Sequence, residues 1–173
     1  MIWILAGLGG LVVLWVVTRA RKYGRIFADA HFIEVGGAAA KIKAAALAKG
    51  DSEPSSADDP RILQTSANVA IVYTVRKDDL RYVHHCSVSV RGGPTTHAVG
   101  RTFVAFAAKL FGLPLDRMAF AVAPSTVHHG EVTLDADEHA AVAAAPVPEV
   151  SASNATELKR AAMDAPLEWK RLG

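Results

Sequence analysis

Two short segments rich in histidine contain the residues of this sequence that are best suited to chemistry. One reads His84-His85-Cys86 and the other reads His128-His129. Imidazole and thiolate groups are common ligands of zinc and copper. Adjacent residues of a β-strand point to opposite faces, however, so one histidine of each pair can contribute to a given site. We therefore expect ordinary strand histidines, with a metal site as the alternative, and its candidate ligands are His84, His85, Cys86, His128 and His129.

Cys86 is the single cysteine of the chain, which excludes an intramolecular disulfide and any site built from several of its cysteines. A catalytic cysteine–histidine pair needs an exposed thiol beside a base. Cys86 instead falls between alternating apolar residues, a pattern that is typical of an inert, packed side chain. We expect no catalytic residue and no cofactor.

A glycine-rich turn, Arg91-Gly92-Gly93-Pro94-Thr95, precedes a predicted helix. Backbone amides at the start of a helix, together with an arginine, can hold an anion. The turn matches neither a P-loop nor a dinucleotide fingerprint, so a plain turn with a helix cap is the other interpretation. The candidate anion-binding residues are Arg91, Gly92, Gly93 and Thr95.

The C-terminal segment LEWKRLG combines apolar and basic residues after a linker that contains proline and serine. Tryptophan and arginine are typical anchors of protein interfaces. The segment predicts a flexible tail that docks on a partner, and a frayed end or packing against the chain's own domain is the alternative. The candidate docking residues are Trp169, Lys170, Arg171 and Leu172.

Alternating apolar residues predict the elements that position these groups. Residues 68–76 and 81–91 are expected to form a β-hairpin across a short polar turn, and 117–123 and 127–134 two further strands. Helices are predicted between the two pairs of strands and over 136–145. The order β-β-α-β-β-α predicts an α+β fold, a small two-layer α/β sandwich, without fixing the order of strands in the sheet.

The helix between the two pairs of strands is expected to cover the apolar face of the hairpin. Val99, Phe103, Phe106 and Leu110 recur at steps of four, three and four residues, which places them on one stripe. Replacing Phe103 by alanine is therefore expected to be among the most damaging changes.

The N-terminal segment 2–17 carries no charge and no proline, and Trp3 and Trp15 lie near its ends. This composition predicts a single transmembrane helix as an anchor over 1–18, with a cleaved signal peptide and a buried core helix as alternatives. Basic residues follow the segment and none precedes it. The positive-inside rule then places the protein in the plasma (inner) membrane, with the N-terminus outside and the rest in the cytoplasm. The expected membrane-interface residues are Trp3, Trp15, Arg19, Arg21, Lys22 and Arg25.

The chain after the anchor divides into four predicted parts. Residues 19–49 are expected to form basic and alanine-rich juxtamembrane helices, interrupted at Gly36-Gly37, and 50–60 an acidic linker. The small α+β domain is expected over 61–145. A linker with a docking helix or peptide is expected over 146–173, where Asn154 and Glu157 resemble a capping box.

Charge and composition limit the function classes. Seven basic and two acidic residues lie in 1–49, and twelve basic and fifteen acidic residues follow. The formal net charge of +2 over 173 residues gives no reason to expect a nucleic-acid partner. We expect a non-catalytic, single-pass accessory or scaffold subunit of a larger energy-transducing or envelope complex.

Such a subunit would dock through its helix, its α+β domain and its tail. Its partners would be the lipid bilayer and other subunits of the complex, within a homo- or hetero-oligomer. The alternative function is a membrane-tethered sensor or small metal- or ligand-binding enzyme that uses the strand histidines.

Overall fold

The computed structural model describes the chain over 2–64, 69–90, 96–123, 127–164 and 169–171, apart from the side chains of 2–11, 19–28, 90, 96–98 and 169–171. These ranges contain four α-helices and six strands. In chain order they are α1 (Ile2–Lys49), β1 (Ile62–Gln64), β2 (Val69–Asp78), β3 (Arg81–Val90), α2 (Thr96–Phe111), β4 (Ala119–Val122), β5 (Val127–Leu134), α3 (Ala136–Ala144), α4 (Ala155–Met163) and β6 (Trp169–Arg171).

Six strands form one sheet in the order β1-β2-β3-β5-β4-β6. The first five pair antiparallel, and β6 joins the edge of the sheet parallel to β4. The predicted hairpin is confirmed, because β2 and β3 pair along their whole length around a turn in which Asp79 has a φ of 51°. The α+β class is therefore correct, and the sheet adds β1 and β6 to the predicted strands.

The helices pack on one face of this sheet, and a hydrophobic core lies between the two layers. In α2, Phe103, Phe106 and Leu110 are buried as their spacing predicted. The ring of Phe111 stacks on Tyr73 of β2 with centroids 4.1 Å apart. The opposite face, called the polar face below, carries the polar side chains of β2, β3 and β5 together with apolar ones such as Val72 and Val83, and it is partly covered by the loop after α1.

The helix α1 runs without interruption for 48 residues, so the predicted break at Gly36-Gly37 is wrong. Gly36 is buried where the side chain of Val150 crosses the helix, and a Cβ atom on residue 36 would lie 2.3 Å from the Cβ of Val150. Glycine therefore serves a close approach between two segments rather than a turn.

The second half of α1 packs into the core through one face. Phe32 of α1 stacks on Phe103 of α2 and meets Phe106 of α2 edge-on, with the ring centroids 4.4 Å apart in both pairs. Buried side chains recur every three or four residues, as expected for a helix with one apolar face; they are Phe32, Val35, Ala39, Ile42 and Ala46.

The predicted transmembrane anchor over 1–18 is wrong. Across the part of the chain that the structure describes, no helix combines the length and the apolar character needed to cross a bilayer. The single-pass topology, the outside placement of the N-terminus and the plasma-membrane localisation are overturned with the anchor.

The helices α3 and α4 begin differently. Asp135 and Glu138 form a capping box at the start of α3, with Asp135 Oδ1 accepting from the Glu138 amide at 2.9 Å, whereas the capping box predicted for Asn154 and Glu157 is absent. Asn154 makes no side-chain cap at α4. Its carboxamide instead donates to Glu149 O and accepts from the Ser151 amide, which fixes the loop before the helix.

Candidate functional site

The consecutive residues His84 and His85 of β3 contribute to two different histidine pairs on opposite faces of the sheet. His84 lies on the core face with His139 of α3. His85 lies on the polar face with His129 of β5. This separation follows from the two-residue repeat of a strand, and it confirms that the four strand histidines cannot share one site.

The core-face pair belongs to a chain of three side chains that starts inside the core. The Tyr73 hydroxyl lies 2.6 Å from Nδ1 of His84, and Nε2 of His84 lies 3.0 Å from Nδ1 of His139. If the hydroxyl donates to Nδ1, then His84 carries its proton on Nε2 and donates to His139. The His139 ring in turn stacks on Tyr82 at 3.8 Å between centroids, which holds α3 against β3.

Burial determines the protonation states of the three hydrogen-bonded side chains. Desolvation, the neighbouring His139 ring and the Lys43 ammonium lower the pKa of His84 to about 4. Burial also raises the pKa of Tyr73 and lowers that of Lys43, whose Nζ donates to Ala145 O at 2.7 Å. At neutral pH the side chains of Tyr73, His84 and His139 are therefore uncharged, and their hydrogen bonds link β2, β3 and α3.

The polar-face pair is more accessible. Nε2 of His85 and Nδ1 of His129 lie 3.2 Å apart, and both rings are half-buried. Burial lowers the pKa of both histidines; for His85 the neighbouring His129 adds to this effect, and the carboxylate of Glu131 opposes it. Both imidazoles are therefore predominantly neutral at pH 7, the form in which histidine binds a metal ion.

A cleft of about 530 Å³ lies on the polar face next to this pair. The loop Gly50–Pro54 forms one wall, and side chains of β2, β3 and β5 form the floor. Its ionisable lining comprises three carboxylates, one guanidinium and one imidazole, namely Asp51, Glu53, Glu131, Arg76 and His85. The carboxylates outnumber the cation, so the cleft favours positively charged or neutral polar ligands.

A buried ion pair fixes the loop that forms this wall. Arg61 is fully buried and makes two hydrogen bonds with the carboxylate of Asp59, from Nε at 3.1 Å and from a terminal nitrogen at 2.8 Å. The same guanidinium donates to Ser52 O, and the Lys77 amide donates to Asp51. The segment expected to be an acidic linker over 50–60 is thus tied to the sheet.

The remaining metal candidates do not join the polar-face pair. Cys86 and His128 lie on the core face and are fully buried. Burial raises the pKa of Cys86 to about 12, so the thiol is a poor nucleophile and a poor ligand. His128 packs on Gly100, where a Cβ atom would lie 2.4 Å from its Nδ1. Among the described residues, no group of three or more His, Cys, Asp or Glu side chains is arranged to hold a metal ion.

The structure leaves the other predicted site residues untested. The anion-site candidates Arg91, Gly92, Gly93 and Thr95 lie outside the described residues. The backbone of Trp169–Arg171 pairs with β4, whereas Leu172 lies outside the described residues. Of the predicted membrane-interface residues, Trp15 is exposed, and the side chains of Trp3, Arg19, Arg21, Lys22 and Arg25 are not among those described.

Sequence reasoning missed the second member of the core-face pair and the cleft. His139 lies on a helix that the sequence did predict, but its contact with His84 depends on how α3 returns onto the sheet. Glu131 and Arg76 fall at outward positions of predicted strands, which is the signal that could have placed them beside His85. The wall of the cleft carries no such signal, because Gly50–Pro54 has the composition of a linker.

Comparisons with protein-family models, with curated proteins and with solved structures find no match. The function is therefore inferred from the geometry of the chain's own residues.

Proposed function

We propose that this protein is a non-catalytic accessory subunit that binds another protein through the apolar segment Val12–Val17 of α1. One observation carries the proposal: these six consecutive residues are 40% to 63% exposed. The buried stripe of the same helix lies further along, from Phe32 to Ala46. The sheet and its helices thus form a body that presents an exposed apolar segment.

The exposure of this segment has a physical cost that a partner would remove. Successive residues of an α-helix are about 100° apart, so six of them face every side of the helix. A helix that is apolar on all sides is normally buried. Covering apolar surface contributes about 25 cal/mol per Å², and contiguous exposed patches of this kind typically mark interaction sites.

The sequence around the segment indicates the chemistry of the partner. Residues 2–17 contain no charged side chain, and four basic residues follow within the next eight positions, at Arg19, Arg21, Lys22 and Arg25. A protein with an apolar groove for the helix and acidic residues at one end of that groove complements this pattern.

The histidine clusters are consistent with a binding role. Cys86 is buried with a raised pKa, and the Tyr73–His84–His139 chain links elements of the core. Of the tail that the sequence assigned to docking, Trp169–Arg171 pair through their backbone with β4, so the proposal rests on α1 and not on the tail.

The test compares a substitution in the segment with one at an equally exposed apolar residue elsewhere. Leu14→Asp places a charge in the middle of the segment, whereas Leu80→Asp changes the hairpin turn, where the leucine is 86% exposed. We expect one protein to co-purify stoichiometrically with the wild-type chain and with Leu80→Asp, and to be lost with Leu14→Asp. Equal recovery with both variants would contradict the proposal.

A further inference from the structure

We propose that His85 and His129 form a binding site for one divalent transition-metal ion of the zinc class at the edge of the polar-face cleft. The site is independent of the protein-binding segment of α1. It involves two strands that the sheet itself holds in place, β3 and β5.

The spacing of the two nitrogens fits a shared ion. A tetrahedral zinc ion binds imidazole nitrogens at about 2.0 to 2.1 Å, which places two such ligands about 3.4 Å from each other. Nε2 of His85 and Nδ1 of His129 lie 3.2 Å apart, close to this separation, so binding requires the two rings to turn until both nitrogens point at the ion. The strands need not move, because His85 and His129 occupy diagonal positions in the β3–β5 register, where Ser87 is the direct partner of His129.

The proton balance of binding is simple. At neutral pH each ring carries one proton, and the proton shared in the His85–His129 contact sits on one of the two facing nitrogens. When the ion binds, that proton moves to the other nitrogen of the same ring, and both facing nitrogens coordinate the metal. Neither ring has to lose a proton to the solvent.

Carboxylates around the pair favour a cation. Glu131 is the direct cross-strand partner of His85, and Asp51 and Glu53 line the same cleft, where Arg76 is the opposing charge. No third ligand completes the group within the described part of the chain, so water fills the remaining coordination positions. Glu131 then acts from the outer sphere, by charge and by hydrogen bonds to those waters.

The test is calorimetric titration of the full chain with zinc at pH 7.5, with magnesium as the comparison ion, since imidazole is a poor ligand for magnesium. We expect one zinc per chain and no magnesium binding. His85→Ala and His129→Ala should each weaken zinc binding by at least about tenfold, and Glu131→Gln by about tenfold. His139→Ala is the matched control, because it removes one histidine from the similarly close pair on the core face, and it should leave zinc binding unchanged.

A second measurement does not depend on how the variants fold. In the wild-type protein, zinc should shift the ring resonances of His85 and His129 and leave those of His84 and His139 in place. Absence of zinc binding by the wild-type chain would overturn the proposal, as would unchanged affinity in His129→Ala or equal loss in His139→Ala. Because the segment Val12–Val17 is not part of this test, failure here leaves the protein-binding proposal intact.

Discussion

The hydroxyl of Tyr73 lies 2.6 Å from Nδ1 of His84, and both side chains are fully buried between the sheet and the helices. Through His84 the same contact extends to His139, so that one hydrogen-bonded chain joins β2, β3 and α3. A buried polar group is stable when its partner is present and costly when the partner is removed. Substitutions among these three side chains should therefore change the free energy of unfolding measurably.

Tyr73→Phe should destabilise the protein by about 1 to 3 kcal/mol, because it leaves Nδ1 of His84 buried without its hydroxyl partner. The measurement is urea unfolding at pH 7. Tyr82→Phe is the control, since it keeps the ring that stacks on His139 and should change the free energy of unfolding by less than about 0.5 kcal/mol. Equal effects of the two substitutions would contradict the described contact.

Stability should fall as the pH decreases from about 6.5 to about 4. The pKa of His84 is lowered to about 4 in the folded protein, so in this window the unfolded chain binds a proton that the folded chain does not. The stability that neutral His84 contributes is fully present above pH 6.5. Its loss by pH 4 lowers the free energy of unfolding by an amount on the order of 3 kcal/mol. Tyr73, His139 and Lys43 surround the ring, and the pKa of His139 is lowered in the same direction.

The contribution of His84 is isolated by comparing wild type with His84→Phe in urea unfolding at several pH values. We expect a smaller loss of stability between pH 7 and pH 4 in the variant, whatever its stability at pH 7. Parallel curves for the two proteins would show that His84 does not carry this pH dependence.

Gly36 and Gly37 should respond to alanine in opposite directions. A Cβ atom on residue 36 would lie 2.3 Å from Val150, whereas a Cβ atom on residue 37 meets no atom within 4 Å. Gly36→Ala should therefore cost about 1 to 3 kcal/mol by overpacking. Gly37→Ala should stabilise the helix by about 0.5 to 1 kcal/mol, because alanine is the better helix former. Thermal unfolding of the two variants measures the direction of each change in stability. Stabilisation by both substitutions would show that Val150 does not contact Gly36.

These two glycines also show that the local sequence does not predict a contact with a distant part of the chain. A glycine pair in a helical pattern predicts a break, and the contact that explains Gly36 comes from Val150, more than 100 residues later in the chain. The β2–β3 hairpin and the capping box of α3 were predictable because they depend on residues close in sequence. The strand β6 was not, because three residues carry little periodicity and their pairing with β4 is long-range.

One part of the candidate site could likewise be predicted from the sequence, and another part could not. Alternation along β3 correctly predicted that His84 and His85 face opposite sides of the sheet. The partner of each histidine depends on the register of β5 and on the position of α3, and neither of these is encoded by local spacing. The anchor predicted from the apolar composition of 2–17 is wrong, because no helix within the described residues is long and apolar enough to cross a bilayer.

The thiol of Cys86 should be protected in the native protein. It is fully buried and its pKa is raised to about 12, so the reactive thiolate is scarce at neutral pH. A chromogenic disulfide reagent at pH 8 should release less than about one tenth of an equivalent before unfolding and one equivalent per chain in urea. Rapid labelling of the native chain would mean that the core around β3 opens readily.

The proposed binding role of α1 is tested most directly by photocrosslinking at a single position of the apolar segment. A photoreactive residue in place of Leu14, within the full chain in its native cells, should capture one other protein, and unlabelled wild-type chain should compete for that partner. The same residue in place of Leu80 should capture none. The captured protein, once purified, should bind the wild-type chain at least about tenfold more tightly than Leu14→Asp, a difference of about 1.4 kcal/mol. Capture of lipid instead of protein, capture of a second copy of this chain, or equal capture from both positions would contradict the account.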